Sequence, residues 1–132
     1  MVIKKLTPSD LEALCALDQA CFDQPWTRDA LLEELSHPDS ECLGHLPKAA
    51  ILTRKIADER WIFRIMTHPD YRRQGLGEKL LEALPKEPLW LEVSVLNTGA
   101  IKFYEQAGFK VIGRRPGYYP EDALIMLRYA GL

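Results

Sequence analysis

Nothing in this 132-residue sequence is apolar for long enough to cross a membrane as a helix; its longest apolar runs stop well short of the ~20 residues such a span needs. The opening MVIKKLTPSD lacks the apolar core of a secretory signal. Cysteine is scarce: Cys15, Cys21 and Cys42 are odd in number and show no Cys-x-x-Cys spacing, which argues against a disulfide framework or a zinc site and for reduced thiols in the core. Strong charge of one sign is missing too. A formal net charge of −2 is no footprint for nucleic acid or for a membrane surface, although Arg72 and Arg73 make one local basic step. No repeat, low-complexity tract or Pro/Gly/Ser-rich linker divides the chain. The expectation is therefore a cytoplasmic protein, a single domain over residues 1–132, acting as a monomer or weak dimer without metal, nucleic-acid or membrane partners.

What is present is an ordinary globular balance of 47% hydrophobic and 27% charged residues. A chain of this length buries roughly two-thirds of the surface its unfolded form exposes, so it should fold alone. VIKKL reads as a short strand. Ser9 is then placed to cap a helix carrying Leu11, Leu14, Leu17 and Phe22 on one stripe, and Gln24-Pro25-Trp26 breaks it. Thr27 is placed to cap a second helix, RDALLEEL, which ends at His37-Pro38. From Glu41 the period changes. ECLGHL, AAILTRKI and RWIFRIMT, separated by the turns PK and ADE, predict consecutive antiparallel strands. Pro69-Asp70 ends the third, and GLGEKLLEAL follows as a helix closed by Pro85. LWLEVSV is the clearest strand of all. Asn97 then caps TGAIKFYEQA, Gly108 supplies a left-handed C-terminal residue, and FKVIGRR and DALIMLRY complete the order with two strands. The fold class is α/β of the mixed type: a mostly antiparallel sheet flanked by helices on both faces.

Two stretches carry chemistry. In His68–Leu84, a loop with Gly75 and Gly77 follows a strand and opens a helix, where unpaired N–H groups and the positive end of the helix dipole favour an anion. Glycine removes the Cβ that would hold a phosphate off the backbone, and Arg72 and Arg73 can add charge-assisted contacts. The loop lacks the Lys-Ser/Thr of a P-loop, and Leu80 stands where a dinucleotide fingerprint needs a small residue. In LWLEVSV the alternation leaves Glu92 mid-strand, where a carboxylate needs a hydrogen-bond partner or a cleft and could serve as a base. Asn97, Ile101, Tyr104 and Gly108 share one helical face, so Tyr104 can lie over whatever Asn97 touches. Taken one at a time, the loop reads equally well as a plain turn, while Glu92 and Tyr104 read better as structural, a salt-bridged or edge-exposed glutamate and a core tyrosine.

Together, RIMTHPDYRRQGLGEKLLEAL, LWLEVSV and NTGAIKFYEQAGFKVIGRRPGYY resemble, in order and spacing, the GNAT family of acetyl-CoA-dependent N-acetyltransferases. CFDQPWTRDALLEEL near the start, LEV before the Asn helix, YY after it and the final EDALIM resemble the ribosomal-protein alanine N-acetyltransferases of the RimI type. The resemblance implies a GNAT fold and acetyl-CoA as co-substrate. It implies that the backbone of Ile65, Met66 and Thr67 holds the acetyl and pantetheine portion, and that Arg72, Arg73, Gln74, Gly75, Leu76, Gly77 and Glu78 wrap the pyrophosphate. Asn97 matches the family asparagine beside the cofactor, and Glu92 and Tyr104 match the general base and general acid of RimI-type enzymes. Tyr118 and Tyr119 would line the acceptor entrance, with a protein N-terminus, such as that of a ribosomal protein, as the acceptor. The sequence departs from the family pattern in the short ALPKEPLW segment, in the PE step before DALIM and in the absence of a glycine turn within GHLPKAAILTRK. These departures spare the cofactor residues and leave two other readings open: a small-molecule amine as acceptor, or a non-catalytic CoA-binding module.

Overall fold

Leu11, Leu14 and Leu17 recur at helical spacing, and burial of that stripe holds the first helix in place. In the structure, a computed structural model that describes residues 1–117 and 120–129, they lie within α1 (Leu11–Cys21). Its start differs from the sequence reading. Ser9 is not the cap; Pro8–Asp10 form a 3-10 turn, and the Asp10 carboxylate accepts the Thr7 N–H at 2.9 Å. Proline costs no hydrogen bond at a first helical position, so Pro8 moves the entry upstream of Ser9. Phe22 lies just past the helix, in extended backbone, yet packs half-buried against the same core. α2 (Arg28–Ser36) begins as expected, with Thr27 Oγ1 accepting the Ala30 N–H at 3.1 Å, and it gives way at His37.

The described residues form one seven-stranded sheet: β1 (Lys4–Lys5), β2 (Ser40–His45), β3 (Ala49–Ile56), β4 (Glu59–Thr67), β5 (Leu89–Ser94), β6 (Lys110–Arg115) and β7 (Ala123–Arg128). The spatial order is β1-β2-β3-β4-β5-β7-β6. Pairing is antiparallel for β1 with β2, β2 with β3, β5 with β7 and β6 with β7, and parallel for β4 with β5. Parallel neighbours need a crossover, and α3 (Leu76–Ala83) supplies it. The mixed, mostly antiparallel sheet flanked by helices is thus the one the pattern predicts. VIKKL contributes less than expected, two paired lysines. Ala57 and Asp58, both at positive φ, make the tight turn between β3 and β4.

The chain folds as two compact units, Met1–Lys55 with Phe63–Pro85, and Ile56–Ile62 with Lys86–Leu132. In the first, Leu14, Leu17 and Leu31 of the helices pack with Cys42, Leu52 and Met66 of the sheet into one apolar core. Two carboxylates are buried with it, and both are satisfied. Glu34 accepts two hydrogen bonds from Arg54, at 2.7 and 3.1 Å, and one from Ser40. Asp18 is held by Arg64 and by the Trp26 N–H. In the second unit, Leu89, Leu91 and Val93 of β5 are buried, whereas Trp90, Glu92 and Ser94 on the opposite face are half-buried. α4 (Thr98–Gln106) buries Tyr104, whose ring meets Phe103 and Phe109 edge-on at 5.4 and 5.5 Å. All three cysteines are free thiols. Among the described residues no helix is long and apolar enough to cross a membrane.

Candidate active site

The loop from β4 to α3 is built by short-range devices in the first unit. His68 anchors it: its N–H donates to the Lys48 carbonyl at 2.8 Å, and its Nδ1 accepts the Asp70 N–H at 3.1 Å. Arg73 and Gly75 then take left-handed backbone, with φ of 64° and 73°. Such residues curl the chain in the way that lets successive N–H groups converge on an anion. Gly75 is the N-cap of α3, so the first free N–H groups of that helix lie immediately beyond it. A Cβ placed on Gly75 would meet nothing within 4 Å. The space above the glycine is open, which suits a phosphate group. Gln74 and Glu78 are exposed, Gly77 is half-buried, and Leu76 is buried under the loop. Arg72 is less free than its position in the sequence implies, because its Nε donates to the Thr67 carbonyl at 3.1 Å. The Cys21 thiol donates to the same carbonyl at 3.4 Å, and burial pushes that thiol's pKa up, with Arg72 partly offsetting the rise. The end of β4, where Met66 is buried and Ile65 and Thr67 are half-buried, is therefore fixed from two sides.

The second unit holds the other predicted residues. Glu92 sits mid-strand opposite Ile125 of β7, its side chain about one quarter exposed, with Arg115 Nη2 2.8 Å from its Oε1. The partner the glutamate needed is thus an arginine on β6. Asn97 caps α4 as expected, its Oδ1 accepting the Ala100 N–H at 3.2 Å, which leaves the amide NH2 for a contact outside the helix. Tyr104, about two helical turns further along, is buried. Burial pushes its pKa from the usual 10 up to about 12. A phenol of that kind is neutral at physiological pH and has a proton to give.

This shift has a stability consequence with a definite sign. Folding favours the neutral phenol, so the contribution is fully present below pH 10 and is lost as the pH rises toward 12. Between those limits wild type should lose about 2–3 kcal/mol more than Tyr104→Phe. Urea melts of both proteins at several alkaline pH values test this, and parallel losses would mean that the hydroxyl ionises as freely in the folded chain as in the unfolded one.

Tyr118 and Tyr119 lie outside the described residues. Their flanks are ordered by a residue the sequence reading passed over, Asp122, which accepts the Gly117 N–H at 2.8 Å and the Arg114 Nε at 2.6 Å. Those two contacts, the Gly117 N–H foremost, hold its carboxyl below the usual range. Ser94 likewise donates to Glu121 at 2.9 Å. Arg115 was also missed: twenty-three positions separate it from Glu92 in sequence, and only the strand order shows the pairing.

A glycine loop opening the crossover helix of a mixed sheet, with a half-buried glutamate and a capping asparagine on the elements that follow, defines a coenzyme-A acyltransferase fold. The chain belongs to the GNAT acetyltransferase family: the family's acetyltransferase (GNAT) domain matches residues 41–111. It is an acetyl-CoA-dependent acetyltransferase, and the match takes in the loop from Arg72 to Glu78, Glu92 and Tyr104. The chain is 36% identical to the [ribosomal protein bS18]-alanine N-acetyltransferase of Escherichia coli K12, over 94% of each chain. Among solved structures it matches the ribosomal-protein-S18-alanine N-acetyltransferase from Escherichia coli with a TM-score of 0.86 and 33% identity, covering 99% of this chain and 94% of that one. It shares its fold with the PaiA N-acetyltransferase of Thermoplasma acidophilum in complex with coenzyme A, at a TM-score of 0.80 and 22% identity over 97% and 98% of the two chains.

Proposed function

We propose that this acetyltransferase modifies the N-terminal α-amine of a protein, preferring alanine or another small first residue, with a ribosomal protein as the acceptor. The observation that carries this reading is the 36% identity, spread over 94% of both chains, to an enzyme whose acceptor is the alanine of a ribosomal protein. Acetyl-CoA supplies an activated thioester, so no covalent protein nucleophile is needed. Residues Arg72 to Glu78 receive its pyrophosphate, and the open space at Gly75 together with the left-handed turns at Arg73 and Gly75 supports that role. The backbone of Ile65, Met66 and Thr67 receives the acetyl and pantetheine portion. An N–H there, facing the carbonyl oxygen as charge develops on it, would contribute on the order of 3 kcal/mol, as in other acyl transfers. Asn97 turns its free amide toward the cofactor.

Glu92 acts as general base, directly or through one water. The proton it removes is weakly held, because an α-amine has a pKa near ~8. Tyr104 acts as general acid toward the departing sulfur, which needs a proton if its pKa is roughly 8.5, as for cysteine. A hydroxyl that keeps its proton up to about pH 12 fits that duty. A mixture of peptides varied at the first residue, incubated with acetyl-CoA and read by tandem mass spectrometry, tests the acceptor. Acetyl groups are expected on the α-amine of peptides beginning with small residues. Label found only on lysine side chains or on free polyamines would overturn the reading.

A further inference from the structure

Arg114 and Arg115 are neighbours on the edge strand β6, and an irregularity just before them decides which one meets Glu92. Val111 pairs with Met126 of β7 and Gly113 with Ile125, so Ile112 is the extra residue of a β-bulge. Side chains alternate between the faces of a sheet, and one inserted residue exchanges the faces of all that follow it. Arg115 therefore stands opposite Ala123, two residues from Ile125 and on the same face. Ile125 in turn stands opposite Glu92, which puts Arg115 and Glu92 on one face. In an unbroken ladder Ile112 would take Ile125, and Arg114 would stand opposite Ala123. As built, Arg114 Nε is engaged instead by Asp122, at 2.6 Å. Gly113, the β6 residue in Glu92's own row, has no side chain, so the donor comes from the next row. Arg115 Nη2 reaches across β7 to lie 2.8 Å from Glu92 Oε1, over a gap of two strand spacings, about 10 Å, that the long stem of an arginine covers. With side chains 45% and 26% exposed, such a pair does little for stability. Its consequence is local, the orientation of one carboxylate.

We propose that Arg115, brought onto the face of Glu92 by the bulge at Ile112, is a positioning residue that aims the carboxylate of the general base. The last torsion of a glutamate is broad, with no narrow preferred angle, so an untethered carboxylate samples many directions. Tied through Oε1, it presents its second oxygen in one direction. The guanidinium itself touches none of the reacting atoms. The inference rests on the assignment of Glu92 as the base. It predicts a loss confined to turnover, and one that depends on the carboxylate still being there.

The test is steady-state kinetics of wild type, Arg115→Met, Arg115→Lys, Glu92→Gln and the double variant Glu92→Gln with Arg115→Met, using acetyl-CoA and whichever amine wild type acetylates. Arg115→Met should lower kcat about tenfold and leave the acetyl-CoA KM within about twofold, because a misaimed base slows the chemical step and not the binding of the cofactor. Arg115→Lys, which keeps a charged donor without the planar fork, should recover part of the loss. The two single changes should also be coupled. Once Glu92→Gln has removed the base, Arg115→Met should cost less than about twofold more, since no base is left to aim. An unchanged kcat in Arg115→Met, a tenfold loss that recurs in the Glu92→Gln background, or an effect confined to the acetyl-CoA KM would overturn the proposal and leave Glu92 in its role. An undiminished kcat in Glu92→Gln would remove the base itself, and the task of Arg115 with it. If Arg115→Met does not fold, Arg115→Lys in both backgrounds decides by the same comparison.

Discussion

Glu92→Gln is expected to lower kcat for an alanine-first peptide by about 10²–10⁴-fold while leaving acetyl-CoA binding unchanged, because a general base contributes that much and nothing else in the side chain's shape is lost. Glutamine keeps an oxygen for Arg115 Nη2, which lies 2.8 Å from Oε1 in the wild type. The half-exposed ion pair is worth about 0–1 kcal/mol, so the melting temperature should move little. Activity and stability are thereby separated in one variant. The pH dependence carries more information than the size of the loss. An α-amine with a pKa near ~8 sheds its own proton as the pH rises through 9, so a missing base matters less there. The deficit of Glu92→Gln should accordingly shrink at alkaline pH. A large deficit that stays constant with pH would make Glu92 a residue that orients the amine rather than deprotonates it, and an undiminished kcat at pH 7 would remove it from the chemistry altogether.

The fold was legible because its signals are local. Alternation in LWLEVSV, Thr27 and Asn97 before amphipathic helices, and Gly108 at positive φ each act within a few residues, and each stands where the sequence reading placed it. The start of α1 was misread for an equally local reason: Pro8 and Asp10 with Thr7 offer a turn that competes with a cap at Ser9. What escaped the sequence were pairs joined by topology. Arg115 reaches Glu92 only because β7 lies between β5 and β6. Asp18 looked like a polar interruption of a helix and is the fully buried partner of Arg64, forty-six positions away. Of the candidate site, the glycine loop opening a helix could be anticipated, whereas its left-handed turns at Arg73 and Gly75 and the arginine that restrains Glu92 could not, since a long-range ion pair leaves no periodicity in a single chain.

Gly75→Asp should abolish measurable acetyl-CoA binding, with the dissociation constant rising by at least about 100-fold in calorimetric titration, and Gly75→Ala should cost far less. The two variants separate backbone from charge. Residue 75 has φ of 73°, where an ordinary L-residue is strained by roughly 1–2 kcal/mol and aspartate by less than alanine. If conformational strain alone governed binding, alanine would be the worse substitution. Neither Cβ would collide with the protein, because nothing lies within 4 Å of that position. The aspartate carboxylate, however, would occupy the open space at the start of α3 and take for itself the N–H groups and dipole that favour an anion there. It would also repel the pyrophosphate, an effect that added salt should lessen and that alanine would not show. Comparable affinities for wild type and Gly75→Asp would mean that the diphosphate is held somewhere other than at this helix, and the assignment of Ile65–Thr67 to the acetyl group would lose its anchor with it.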